Sequence, residues 1–415
     1  MVVFNYIKHI GIVIVMLLLI YLLNPFNLTI KAGYALIGAF IVLRANRFVQ
    51  LIDRNFLLLL LFSITFSMFN YFGENKGIQY LIIQATFPYF FYALGKLMVT
   101  KETTEKGLIH LIIILGFTYS FDSLLSIIFN LKQSGFAQTD RFIPSFWSGT
   151  PIKATTMASY MFYNSVIPAI LVANKNRLSL FWHIVYTGFF LITLVCSFRL
   201  GSRTLIVIAV LSMLASIGYL VINQSAKQNI RLLFFLIVLL GGIFVFAPID
   251  LDSPIFSTLG HRIQTGGGVE SASTAGNRTT LWAEGVEKLI EHPLGWESRM
   301  HHHNLWLDMA KLGGIVPFLF FLTSNVFCFL DLRKAFRLSG KDLGINVIFL
   351  AIFLSSFLFF FTEPVIEGNF FSIVIFCLFF GVMRGYIEKK KWEKENAIST
   401  TNDNSKKSKN PVTLS

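Results

Sequence analysis

Charge is scarce in this sequence. Only 14% of its 415 residues are charged and 54% are hydrophobic, and the mean hydropathy is +0.65. A water-soluble domain of this length has no use for so much apolar surface, whereas a bilayer solvates it. Cysteine is nearly absent. Cys196, Cys328 and Cys377 are odd in number, lack ligand spacing and sit inside apolar runs. That excludes a disulfide framework and a cysteine metal motif. No Gly-Lys-Ser or Gly-Lys-Thr follows "TGGGV" (265–269), so this stretch reads as a flexible linker rather than a phosphate loop. No small-residue cleavage site follows the first apolar run. Asn24 and Pro25 come next, and the run reads as a retained first helix. The net charge of +13 is spread through loops rather than gathered in a basic domain, so nucleic acid is not an expected partner.

What is present is apolar and aromatic, with 45 phenylalanines. Runs long enough to cross hydrocarbon lie near 8–23, 29–44, 55–72, 78–98, 107–130, 154–173, 178–197, 203–222, 231–249, 305–330, 345–362 and 369–387. They predict an all-α polytopic membrane protein of about 12 transmembrane helices. Residues 1–249 hold helices one to nine with short loops, and 250–304 form a large external loop. Residues 305–388 hold the last three helices, and 389–415 a lysine-rich, disordered cytoplasmic tail. Positive residues in short loops mark the cytoplasmic side. "RANRFVQLIDR" (44–54), "KLMVTKETTEK" (96–106), "NKNR" (174–177), "KQNIR" (227–231) and "DLRKAFRLSGK" (331–341) alternate as they should if both termini are cytoplasmic.

That orientation places Arg141, Arg199, Arg203, Arg262, Arg278 and Arg299 outside, against the positive-inside rule. Each could snorkel to lipid headgroups. Arg199 and Arg203 flank the ends of apolar runs, where a charge must face a cavity, a partner or the interface. A guanidinium offers a planar fork of donors that fits phosphate, so the cluster can cradle a lipid-linked phosphate or pyrophosphate. An anion transporter would use the same residues.

"GNRTTLWAEGVEKLIEHPLGW" (276–296) reads as an amphipathic helix. Leu281, Val286, Leu289 and Ile290 share one face with Trp282 close by, Asn277 is the N-cap, and Pro293 with Gly295 ends it. Arg278 in the first turn opposes the helix dipole, so something else must hold it there. "HHHN" (301–304) then precedes an apolar run. In an extended segment His301 and His303 share a side and His302 faces the other. A metal would need further ligands, and the helix carrying Asp308 separates that residue from the histidines. The other readings are a cluster without chemistry, or one histidine that takes a proton from an alcohol near neutral pH.

The set "RTTLWAEGVEKLIEHPLGW…HHHNLWLDMAKLGGIVPFLFF" resembles the C-terminal signature of the O-antigen ligase/polymerase (WaaL/Wzy) superfamily. The matching positions are Arg278, His292-Pro293-Leu294-Gly295, His303-Asn304 and Gly313-Gly314. "LGSRTLIVIAVL" (200–211) and "DRFIPSFWSGT" (140–150) resemble two further elements of that superfamily, and the likeness covers about 140–330. The resemblance implies a GT-C-like, metal-independent, inverting glycosyltransferase without a cofactor. Its donor would be a glycan on undecaprenyl pyrophosphate, and its acceptor a lipid A–core sugar or another lipid-linked glycan, at the outer face of the inner membrane. The implied roles are His303 as base, Arg203 and Arg278 on the pyrophosphate, and Arg141 as a third arginine. Arg199, His301 and Asn304 would contact substrate, Asn304 alternatively capping its helix. The "H-x-H-N" form and the "R…GT" loop look more like ligases than polymerases. A transporter of lipid-linked glycan, or a scaffold of a polysaccharide machine, are the competing classes. A transporter should carry charges or broken helices near the midplane, and Asp122 is the main such residue.

Overall fold

A computed structural model describes residues 10–73, 77–136, 141–234, 253–265, 278–296, 302–340 and 342–407. Among the described residues are sixteen α-helices, three short 3-10 helices and one two-stranded hairpin. The first five helices are α1 (Ile12–Leu23), α2 (Thr29–Leu51), α3 (Arg54–Gly73), α4 (Ile78–Met98) and α5 (Glu105–Ser134). The antiparallel hairpin β1 (Phe142–Pro144) and β2 (Pro151–Lys153) leads into α6 (Ala154–Met161) and α7 (Ile167–Ala173). Next come α8 (Leu180–Leu200), α9 (Arg203–Asn223), α10 (Ser257–Thr265) and α11 (Arg278–Glu291). The chain closes with α12 (Leu305–Gly313), α13 (Ile315–Ser339), α14 (Leu343–Thr362), α15 (Val365–Gly368) and α16 (Phe371–Lys407).

Eight of these helices are long and apolar enough to cross a membrane. A ninth span results if α6 and the stretch through α7, bent by 51° at their break, are one. The physical mark of a bilayer is on their surfaces. Val42 is 78% exposed and Ile222 83%, alongside Val207, Val210 and Leu214 on the same helix as Ile222. Apolar exposure on this scale is unfavourable in water and neutral in hydrocarbon.

Of the expected twelve or so spans, these eight or nine are found among the described residues, and Ile12–Leu23 and Arg54–Asn70 are shorter apolar helices. The run at 231–249 lies mostly outside the described residues. The run at 305–330 is divided at Gly314, whose φ of +73 ends α12 and turns the chain into α13. A side chain at Gly314 would meet Pro293 O at 2.6 Å, so the turn is also where another segment presses in. The tail expected to be disordered continues α16 as helix to Lys407.

The core is built around α4 and α16. Without a hydrophobic drive between helices in lipid, close packing of small residues substitutes for it. A Cβ at Gly95 would lie 2.0 Å from Leu378 O, and one at Gly381 2.0 Å from Tyr92 O, so the two backbones all but touch.

At one end of the bundle a charge network ties four helices. Lys96 Nζ meets Asp53 Oδ2 and Glu388 Oε1, each at 2.9 Å, and Arg384 Nη1 meets Asp331 Oδ1 at 2.9 Å. Asn55 Nδ2 donates to Asp331 Oδ2 at 2.8 Å. Burial raises the Asp53 carboxyl, but the Lys96 charge and hydrogen bonds from Phe56 N–H, Lys96 and Tyr92 outweigh it, and its pKa falls below the usual carboxylate range. The opposite end carries Arg199, Arg203, Arg278 and the hairpin.

Candidate functional site

The site is built where α11 meets the start of α12. Leu281, Trp282, Gly285 and Leu289 face the protein, at helical spacing. This corrects the expected face: Val286 and Ile290 are 51% and 76% exposed. Gly285 decides the difference. A Cβ there would lie 2.7 Å from His302 Cδ2, so the missing side chain lets the backbone press on the imidazole. Trp282 Nε1 donates to His302 O at 2.9 Å, and its ring meets Phe361 edge-on at 4.5 Å. Beyond the helix, Ile315 N–H donates to Pro293 O at 2.8 Å and Trp296 N–H to Lys311 O at 3.0 Å. The "HPLGW" turn is thereby pinned to the α12–α13 junction. Asn277, the expected N-cap, lies outside the described residues; the helix begins at Arg278.

The histidines separate. His301 lies outside the described residues. His302 is buried, with its main-chain N–H 2.9 Å and its Nδ1 3.2 Å from Asp308 Oδ1. Trp296 stands edge-on to the imidazole at 5.6 Å. The expectation that its helix keeps Asp308 away is therefore overturned. Asp308 is in the first turn of α12, and helical side chains lean towards the N-terminus, where the dipole also favours a carboxylate. Asp308 Oδ2 is buried without a hydrogen-bond partner among the described residues.

The expected extended register fails as well. His303 has φ +50, a left-handed conformation in a non-glycine residue, and is half-buried. Asn304 caps α12, its Oδ1 accepting from Trp306 N–H at 3.1 Å and Leu307 N–H at 3.3 Å. The cap takes up two of the orphan donors of the helix start. His302 and Asn304 are thus held on both sides of a strained His303.

The arginines divide into three cases. Arg278 is held as its position requires: Nη2 lies 3.9 Å from Glu363 Oε1. The same oxygen accepts from Thr204 Oγ1. Arg203, exposed at the first residue of α9, is the chain neighbour of Thr204. Glu363 therefore brings the starts of α9 and α11 together across its carboxylate. Its Oε2 is buried with no hydrogen-bond partner among the described residues. Arg199 is enclosed rather than presented at the surface, 1% exposed, with Nη2 donating to Asn130 Oδ1 at 2.8 Å. Arg141 is exposed before β1, where its carbonyl accepts from Ala154 N–H at 2.8 Å. No contact among the described residues joins it to Arg203 or Arg278.

No family model matches this sequence, and no curated protein does.

Among the described residues, no group of three His, Cys, Asp or Glu side chains could hold a metal ion. What the arrangement offers is an arginine already paired with a carboxylate. Carboxylate and phosphate both fit the guanidinium fork, so an incoming phosphate can take over Arg278 without rebuilding the site. Glu363 was not singled out in the sequence. Its signal is an acidic residue directly after an apolar run, in "TEPVIEGN" (362–369). The His302–Asp308 pair had a fainter one, a carboxylate in the first turn of the helix that follows.

Proposed function

We propose that this chain is a GT-C-like membrane glycosyltransferase that moves a glycan from undecaprenyl pyrophosphate to an acceptor hydroxyl. The reaction takes place at the outer face of the bacterial inner membrane, with both termini cytoplasmic. The preferred form is an O-antigen ligase acting on lipid A–core. A repeat-unit polymerase acting on a lipid-linked glycan is the alternative. The observation that carries the reading is the linkage Arg278–Glu363–Thr204 beside Arg203, with α11 also packed on the "HHHN" turn. Segments far apart in the chain converge there.

In this reading Arg203 and Arg278 bind the pyrophosphate and neutralise the charge it gains as it leaves. The acceptor oxygen attacks the anomeric carbon as the carbon–oxygen bond to pyrophosphate breaks, which inverts that centre. His303 takes the acceptor proton. His302, Asp308 and Asn304 fix the turn that presents it. Glu363 holds Arg278 until phosphate arrives.

A transporter of lipid-linked glycan is the second reading, favoured by the 51° break between α6 and the stretch that follows. The deciding experiment is complementation of two bacterial hosts, one lacking its O-antigen ligase and one its polymerase, with lipopolysaccharide resolved on gels. Rescue of capped lipopolysaccharide by wild type but not by His303→Ala establishes the ligase. Rescue of long chains in the second host establishes the polymerase. Rescue by His303→Ala equal to wild type overturns the role of the histidine.

A further inference from the structure

A small cavity lies between α1, α5 and the loop that follows α1. It holds about one water-sized group, ≈ 10 Å³, and is lined by Tyr21, Asn24, Thr29, Asp122 and Tyr160 among others. Asn24 Nδ2 donates to Asp122 Oδ2 at 2.7 Å. Asp122 Oδ1 and Tyr21 Oη also belong to cavity-lining residues, and neither has a hydrogen-bond partner among the described residues. Tyr21 is only 2% exposed, so water outside cannot serve it. A carboxylate accepts and a phenol donates, and the two would bond if they reached each other. A guest that donates to one and accepts from the other satisfies both. A hydroxyl group does this.

An aromatic cluster joins the loop that follows α1 to the β1–β2 hairpin. Ser126, one turn along α5 from Asp122, donates to Asp122 O at 2.8 Å and accepts from Phe146 N–H at 2.9 Å. This bond fixes the tip of the β1–β2 hairpin one turn along α5 from Asp122. Trp147 then packs on Phe26 at 4.9 Å and on Phe146 at 5.0 Å. Phe26 is 72% exposed and Phe146 39%. The loop carrying Phe26 is strained: Asn24, Phe26 and Asn27 have φ of +50, +52 and +60. Asparagine tolerates this region, whereas phenylalanine rarely occupies it. The strained backbone sends Asn24 inward to Asp122 and leaves Phe26 outside. An interfacial aromatic belt requires neither the strain nor the carboxylate.

We propose that this is a carbohydrate subsite. One sugar hydroxyl enters the cavity, donating to Asp122 Oδ1 and accepting from Tyr21 Oη. The apolar face of the ring lies on Phe26 and Trp147. The inference rests on the glycan-transfer reading for its assignment to the acceptor glycan: no described contact joins the cavity to Arg203 or Arg278, where that reading puts the donor pyrophosphate. A sodium ion would also satisfy Asp122, but leaves the aromatic platform without a purpose.

The test uses the full chain in lipid nanodiscs on an array of short neutral bacterial oligosaccharides. Wild type binds at least one of them. Asp122→Asn and Trp147→Ala each weaken that binding by about tenfold or more, the loss of one hydrogen bond to a charged group or one stacking contact. Phe26→Ala, at an exposed position, repeats the test if Asp122→Asn does not fold. Binding to no oligosaccharide, or equal binding by wild type and the Phe26 and Trp147 variants, overturns the proposal. Binding that requires sodium over potassium and ignores Trp147→Ala assigns the cavity to a cation and also overturns it. Oligosaccharide binding together with wild-type product from both Arg203→Ala and Arg278→Ala keeps this subsite and removes only the pyrophosphate assignment.

Discussion

Glu363 Oε1 lies 3.9 Å from Arg278 Nη2, although Arg278 opens α11 and Glu363 follows α14. The pair answers the question that the first turn of α11 raises. An arginine at a helix N-terminus is disfavoured by the dipole, and a carboxylate from another segment compensates it. With Thr204 Oγ1 on the same oxygen, Glu363 is the junction through which α9 and α11 share a site.

Removing either end of that junction should stop transfer without unfolding the bundle. Arg278→Ala and Arg203→Ala should each lower the rate of glycan transfer by about a hundredfold, the usual cost of losing one electrostatic contact to developing charge. Glu363→Gln keeps the Thr204 bond and loses the charge, so a smaller loss of about tenfold is expected. Membrane insertion and expression should match wild type in all three. Wild-type product from both arginine variants would sink the pyrophosphate assignment.

His302 and His303 should behave differently. His303→Ala should abolish transfer, by at least about a hundredfold for a lost general base, with an unchanged thermal midpoint. His302→Ala should instead destabilise the protein by roughly 2–4 kcal/mol, since it empties a buried site and leaves Asp308 short of a partner. Thermal unfolding in detergent alongside transfer assays separates them. A stable but inactive His302→Ala, with an active His303→Ala, would exchange the two roles.

Gly285→Val should lift α11 off the His302 turn, because even a Cβ there would lie 2.7 Å from the imidazole. The expected result is faster proteolytic cleavage within 278–296 and loss of transfer, with the spanning helices intact. Unchanged proteolysis would show that α11 does not dock through this face.

The charge network at the far end gives a pH prediction. The Asp53 pKa is depressed in the folded protein, so its contribution to stability is complete above the ordinary carboxylate value near about 4. It is lost as the pH falls from there through the lower folded value. Asp53→Asn should therefore lower the thermal midpoint at neutral pH, since buried Lys96 keeps Glu388 but loses one of its two carboxylates, at a cost of roughly 1.5–3 kcal/mol. The gap between wild type and variant should close on acidification. A gap that is the same at both pH values would assign the effect to shape rather than charge.

Chelators should leave transfer unaffected, because the proposed mechanism neutralises the leaving group with arginines in place of a metal. Loss of activity on chelation, restored by one divalent ion, would return the histidine segment to consideration as a metal site.

Much of the fold was legible because apolar length is a local property. Helices at 78–98, 203–223 and 343–362 fall where runs of about twenty apolar residues demand them. The run at 305–330 misled because composition cannot register a break at a glycine pair that another loop pins. The face of α11 misled for a similar reason. Val286 and Ile290 belong inside by hydrophobicity, but Gly285, with no side chain, fits against the imidazole and leaves them outside.

The sequence by itself determined a helical membrane protein, and it marked the arginines, the "HHHN" turn and α11 as the places to look. Hydrophobicity and charge suffice for that, since each acts through the solvent a residue prefers. Only the tertiary structure decided the partners: that Arg278 meets Glu363, that Asp308 turns back to His302, and that Arg199 is enclosed against Asn130. Those pairings depend on directional contacts between segments distant in the chain, and no local pattern encodes which of several carboxylates will face which cation.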